Sequence, residues 1–77
     1  AARQGDASAM ENLGASYGAG EGVSQDYVQA HMWFNLAAAS GSEVGRNYRD
    51  KVAKKMTSTD ISKAQRLARE WLEKHGE

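Results

Sequence analysis

The sequence contains no cysteine and no proline. Without thiols there are no disulfides, no thiolate nucleophile and no zinc site built on sulfur ligands, and the redox compartment stays open. Neither sign of charge is in excess: ten Lys and Arg offset ten Asp and Glu. The chain therefore lacks the basic surplus that supplies affinity for a phosphate backbone. No apolar run is long enough to span a bilayer, and the opening Ala1-Ala2-Arg3-Gln4-Gly5 lacks the charged and apolar regions of a signal peptide. No stretch alternates with period two for long enough to argue a strand. At 77 residues the chain is one small domain or a piece of one, which rules out a multidomain enzyme. What it does hold is eight glycines, and without proline these favour helices separated by glycine turns.

An internal repeat organises the chain. Ala1-Ala2-x-x-Gly5 recurs as Ala37-Ala38-x-x-Gly41, a shift of 36 residues within the range of helix-pair repeats. The chain is thus expected to begin inside a repeat. Ala30, Trp33 and Ala37 are matched weakly, 34 residues on, by Ala64, Leu67 and Trp71.

Periodicity and capping residues predict four helices. The first runs from about Asp6, a cap after a Gly5 turn, to about Tyr17. Ala9, Met10, Leu13, Gly14 and Tyr17 form its stripe, and Gly18 ends it in the left-handed conformation. The second starts near Gln25 or Asp26, carries Tyr27, Ala30, Trp33, Phe34, Ala37 and Ala38 inward, and ends at Gly41. The third spans about Glu43 to Lys55 with Val44, Tyr48, Val52 and Met56 on one face. Thr57 then looks like a cap that accepts from the amide of Asp60. The fourth helix, about Ser58 to His75, buries Ile61, Ala64, Leu67, Ala68, Trp71 and Leu72, with Gly76 as its C′ residue. The expected class is all-α, two antiparallel helix hairpins stacked side by side.

The string Gly5-x-x-x-Ala9-x-x-x-Leu13-Gly14-x-x-Tyr17-x-x-Gly20-x-Gly22-Val23-x-x-Asp26-Tyr27-x-x-Ala30-x-x-Trp33-x-x-x-Ala37-Ala38-x-x-Gly41 resembles the Sel-1-like repeat, a relative of the tetratricopeptide repeat. The tail, with Ala64-Gln65-x-Leu67-Ala68-x-x-Trp71, is similar to the C-terminal closing segment of bacterial members. The resemblance implies a short right-handed α-solenoid with a protein-binding or assembly role. It divides the single domain 1–77 into the tail of a preceding repeat (1–5), a complete repeat (6–41) and a degenerate repeat or cap (42–77). Some secreted members are cysteine-rich with a disulfide in each repeat, a subset this chain does not join.

Candidate chemistry is sparse. Gly18-Ala19-Gly20-Glu21-Gly22 follows a helix rather than a strand, has no Lys or Ser/Thr at the P-loop spacing, and carries a carboxylate that would repel phosphate. It reads as an interhelical turn. His31 and His75 lie on different helices without metal-ligand spacing. No nucleophile elbow is present. Tyr17, Trp33, Phe34 and Trp71 coincide with the apolar stripes and read as core rather than as a ligand-stacking set. No catalytic residue, metal or cofactor is expected.

Charge is segregated. Residues 1–42 hold one basic residue against four acidic ones, and residues 43–77 hold nine against six, giving −3 and +3. The run Arg46, Arg49, Lys51, Lys54 and Lys55 reads as the solvated face of a capping helix, with a membrane-surface or nucleic-acid adaptor as a lesser alternative. The expected function is a protein–protein interaction or adaptor module at the C-terminal end of a repeat array. Its partner surface, from the relation to tetratricopeptide repeats, would use Asn12, Ser16, Arg46 and Arg49. The alternative is a small structural protein that self-associates through apolar surface around Tyr17 and Trp33 at an open N-terminal face. Localisation stays open between the bacterial cytoplasm and, after removal of a signal peptide, the periplasm or exterior.

Overall fold

A computed structural model describes the backbone of residues 4–20 and 26–75 and the side chains of residues 7–20 and 26–74. Four helices account for the described elements: α1 (Gln4–Ala19), α2 (Tyr27–Ala39), α3 (Glu43–Ala53) and α4 (Ser58–His75). The protein is all-α, a short solenoid of helix pairs.

α2 is the centre. It is apolar on every side rather than on one stripe, and a helix of that kind has to be surrounded. Ala30, His31, Met32, Phe34, Leu36 and Ala37 are all buried. α1, α3 and α4 each pack on it, whereas α3 and α4 approach one another far less than either approaches α2. Met32 and Leu36 join Ala68 of α4 in the core, with Met10, Trp33, Leu67 and Trp71 packed around them. Leu36, 1% exposed, alone contributes about 1.5–3 kcal/mol of transfer free energy.

The helix ends follow from local chemistry. The Asp26 carboxylate caps α2 by accepting from the amides of Val28 and Gln29 at 3.0 and 3.2 Å. At the other end Gly41 takes φ +97°. There the amides of Ser42 and Gly41 donate to the carbonyls of Ala37 and Ala38, a Schellman closure that a Cβ would strain. The Ser42 hydroxyl then caps α3 by accepting from the amide of Gly45 at 2.9 Å. As the sequence predicts, Thr57 accepts from the amide of Asp60, at 3.1 Å, and starts α4.

Several expectations are corrected. α1 begins at Gln4, so Gly5 is helical rather than a turn and Asp6 is not a cap; a lone glycine costs a helix only about 1 kcal/mol. The left-handed residue that ends α1 is Gly20, φ +76°, whose amide reaches the Ser16 carbonyl at 2.8 Å. Gly18 stays helical. Of the expected stripe, Ala9 and Leu13 are exposed, while Met10, Gly14 and Tyr17 face the fold as expected and are joined by Ala7. On α3, Val44 and Tyr48 are each 48% exposed and only Gly45 is buried. Leu72 on α4 is 42% exposed. Trp33 is half-buried, with Trp71 packed edge-on against it at a ring-centroid distance of 5.9 Å. The expected tail residues 1–3, together with Gly22, Val23 and Gly76, lie outside the described residues.

The signature positions that are described sort by burial. Ala30, Ala37 and Ala64 are each 0% exposed, because alanine lets a neighbouring helix approach. Gly14 is buried, Trp33, Leu67 and Trp71 are half-buried around the same core, and Tyr17 and Ala38 are also half-buried.

Candidate functional site

Two glycines set the shape of the site. A Cβ built on Gly14 of α1 would lie 2.8 Å from the Phe34 ring, and one on Gly45 of α3 would lie 2.7 Å from the Ala37 Cβ and 2.9 Å from the Phe34 carbonyl oxygen. Their bare backbones let α1 and α3 press onto α2 on either side of Phe34. The contact between α1 and α3 themselves is small. A groove of about 500 Å³ therefore opens between them, with α2 as its floor.

The floor is aromatic. The Phe34 ring stacks on Tyr48 with centroids 5.4 Å apart and an interplanar angle of 22°. Val44 and Val52 continue this surface along α3, and the small residues Ala15, Gly18 and Ala19 make the opposite wall. One end holds Glu11 and Asn12, and there the Ser42 hydroxyl donates to the Glu11 carboxylate, tying α1 to the start of α3. The other end holds two ammonium groups on tyrosine faces, Lys51 over Tyr48 at 5.1 Å and Lys55 over Tyr27 at 5.7 Å.

Of the four residues expected at a partner surface, the structure places Asn12 in the groove. Ser16 is half-buried and its carbonyl serves the turn at Gly20. Arg46 is exposed and pairs with Glu43 at 3.7 Å. Arg49 is turned towards α2, donating to the Asn35 side chain at 3.0 Å and to Asp50 at 3.2 Å. The four do not converge. The sequence reading grouped Val44, Tyr48 and Val52 on one face of the third helix, and placed Lys51 and Lys55 on its solvated face. A signal for the groove was present: Leu13-Gly14-x-x-Tyr17 recurs as Val44-Gly45-x-x-Tyr48, a shift of 31 residues.

His31 lies outside the groove lining, on α2, and is 3% exposed. Its Nδ1 has no hydrogen-bond partner. Burial lowers its pKa below 6.5, the nearby Arg49 guanidinium lowers it further, and Asp50 opposes both. Among the described residues no group of His, Asp or Glu is arranged to hold a metal ion, and no helix is long and apolar enough to cross a membrane.

Helix pairs stacked through a shared central helix, with a groove walled by the first helix of each pair, define a helical repeat module of the tetratricopeptide-like class. The family model of the Sel1 repeat matches residues 7–42 and 53–74, and the chain belongs to that family. Sel1 repeats are a non-catalytic module and generally mediate protein–protein interaction. Comparison with curated proteins and with solved structures gave no match.

Proposed function

We propose that this chain is a protein-binding adaptor module without catalysis of its own, closing a Sel1 repeat array, and that its partner seats in the groove between α1 and α3. The observation that carries this reading is the pair Val44 and Tyr48. Two large apolar side chains, each 48% exposed, line a concavity whose floor is already ordered by the Phe34–Tyr48 stack, and pre-formed apolar clefts with a few polar groups at the ends are where ligands bind. Asn12 belongs to this surface, with Ser16 and Arg46 as outlying contacts. Arg49, tied to Asn35 and Asp50, is assigned to positioning α3. The polar outer side of α4, with Lys63, Arg66, Arg69 and Glu70 exposed, suits a terminal repeat.

A photo-crosslinking residue at position 12, compared with one at Ser62 on the exposed side of α4, tests the reading in cells of the source organism. Crosslinks to another protein are expected from position 12, not from position 62, and Tyr48→Ser should diminish them without changing the circular dichroism. Equal crosslinking from both positions would overturn the assignment.

A further inference from the structure

The groove is graded in charge along its length. At 1.5 Å rise per residue, the α1 wall from Glu11 to Ala19 is about 12 Å long, the reach of three or four residues of extended peptide at about 3.3 Å each. One end presents the Glu11 carboxylate and the Asn12 amide, and the other the ammonium groups of Lys51 and Lys55. The ring contact engages one side of each ammonium, which leaves N–H donors for a further acceptor. Among the described residues the ion pairs are Arg46–Glu43, Arg49–Asp50 and Arg66–Glu70, and neither lysine joins one. The acid next to Tyr27 in sequence, Asp26, is engaged with the amides of Val28 and Gln29.

We infer that the groove takes an acidic–apolar peptide segment: a side-chain carboxylate held between Lys51 and Lys55, and a bulky aliphatic or aromatic side chain a few residues away against the exposed Val44 and Tyr48. Glu11 at the far end repels the same segment in the reverse direction, so the groove fixes orientation as well as composition. A nucleic-acid backbone or an anionic membrane satisfies the lysines but leaves Val44 and Tyr48 unused and meets Glu11. This inference rests on the reading of the groove as a protein-binding surface and names the chemistry of its ligand.

Selection of a random heptapeptide display library on the folded chain tests it. Enriched sequences should pair Asp or Glu with Leu, Phe or Trp at a fixed spacing. The best peptide, made synthetically, should lose about tenfold in affinity when its acid is changed to the amide, or when the chain carries Lys51→Gln with Lys55→Gln, two exposed ion pairs each being worth up to about fivefold. Its binding should weaken with salt. Neutral apolar peptides that enrich and are lost on Tyr48→Ser would overturn the acidic specificity and leave the groove reading standing. Peptides that enrich equally on the Tyr48→Ser chain, or no enrichment at all, would remove both. Lysine-dependent binding to phosphatidylglycerol vesicles with no acidic peptide selected would replace the inference by a membrane one.

Discussion

Gly14 and Gly18 stand one turn apart on α1, and their missing Cβ atoms have opposite consequences. At Gly14 the space is already filled by the Phe34 ring at 2.8 Å, whereas at Gly18 an added Cβ would meet the Ala30 Cβ at an ordinary 3.7 Å. Gly14→Ala should therefore lower stability by about 1–3 kcal/mol, the usual effect of overpacking. Gly18→Ala should raise it by about 0.5–1 kcal/mol through helix propensity. Urea denaturation of the two variants checks this, and a Gly18→Ala chain less stable than Gly14→Ala would contradict the packing described. Both glycines stand out in the sequence, but it cannot say which one is a contact. Gly18, with Gly20 close behind it, reads as the stop, and the backbone turns two residues later than that reading.

At the level of elements, α2, α3 and α4 are all legible as helices, but what α3 faces is not. Alanines at helical spacing between aromatics mark a helix that others approach closely, and Ala30, Ala37, Ala64 and Ala68 are indeed among the most buried residues. Thr57 and Gly41 act at the ends where their chemistry predicts. On α3 the period correctly groups Val44, Tyr48 and Val52 on one face, but a period does not say what the face meets. That stripe lines the groove, and the buried contact is made by Gly45, which contributes nothing to a hydrophobic pattern. The groove was missed for the same reason, since its lysines and its exposed Val44 and Tyr48 come from an element read as an ordinary amphipathic cap, although the recurrence of Leu13-Gly14-x-x-Tyr17 as Val44-Gly45-x-x-Tyr48 signalled it. The spans matched by the family model pass over residues 43–52 as well. With one buried residue against six in α2, α3 should open at lower free energy than α2. Native-state hydrogen exchange checks this, and α3 amides as slow as those of α2 would count against it.

For the molecule as a whole, a buried base on the central helix links stability to pH. His31 binds a proton less readily when folded than when unfolded, because burial and Arg49 disfavour the imidazolium more than Asp50 favours it. The unfolded chain therefore takes up the proton first as pH falls. Stability should be unaffected by this group well above pH 6.5 and should decline as pH drops below that value. A neutral replacement, His31→Leu, should flatten the slope below pH 6.5. Thermal melts across that interval decide the matter, and an unchanged slope in the variant would assign the dependence elsewhere.

Phe34 belongs to two surfaces at once. One side of its ring fills the notch left by Gly14, and the ring also stacks on Tyr48 in the groove. Helix spacing and the shape of the proposed recognition groove therefore depend on a single side chain. The ring is buried between α1 and Tyr48, so a shift of α1 along α2 would move it and, through the stack, Tyr48 at the groove. A change at position 14, which lines no part of the groove, would therefore reach the groove through Phe34 while it lowers stability.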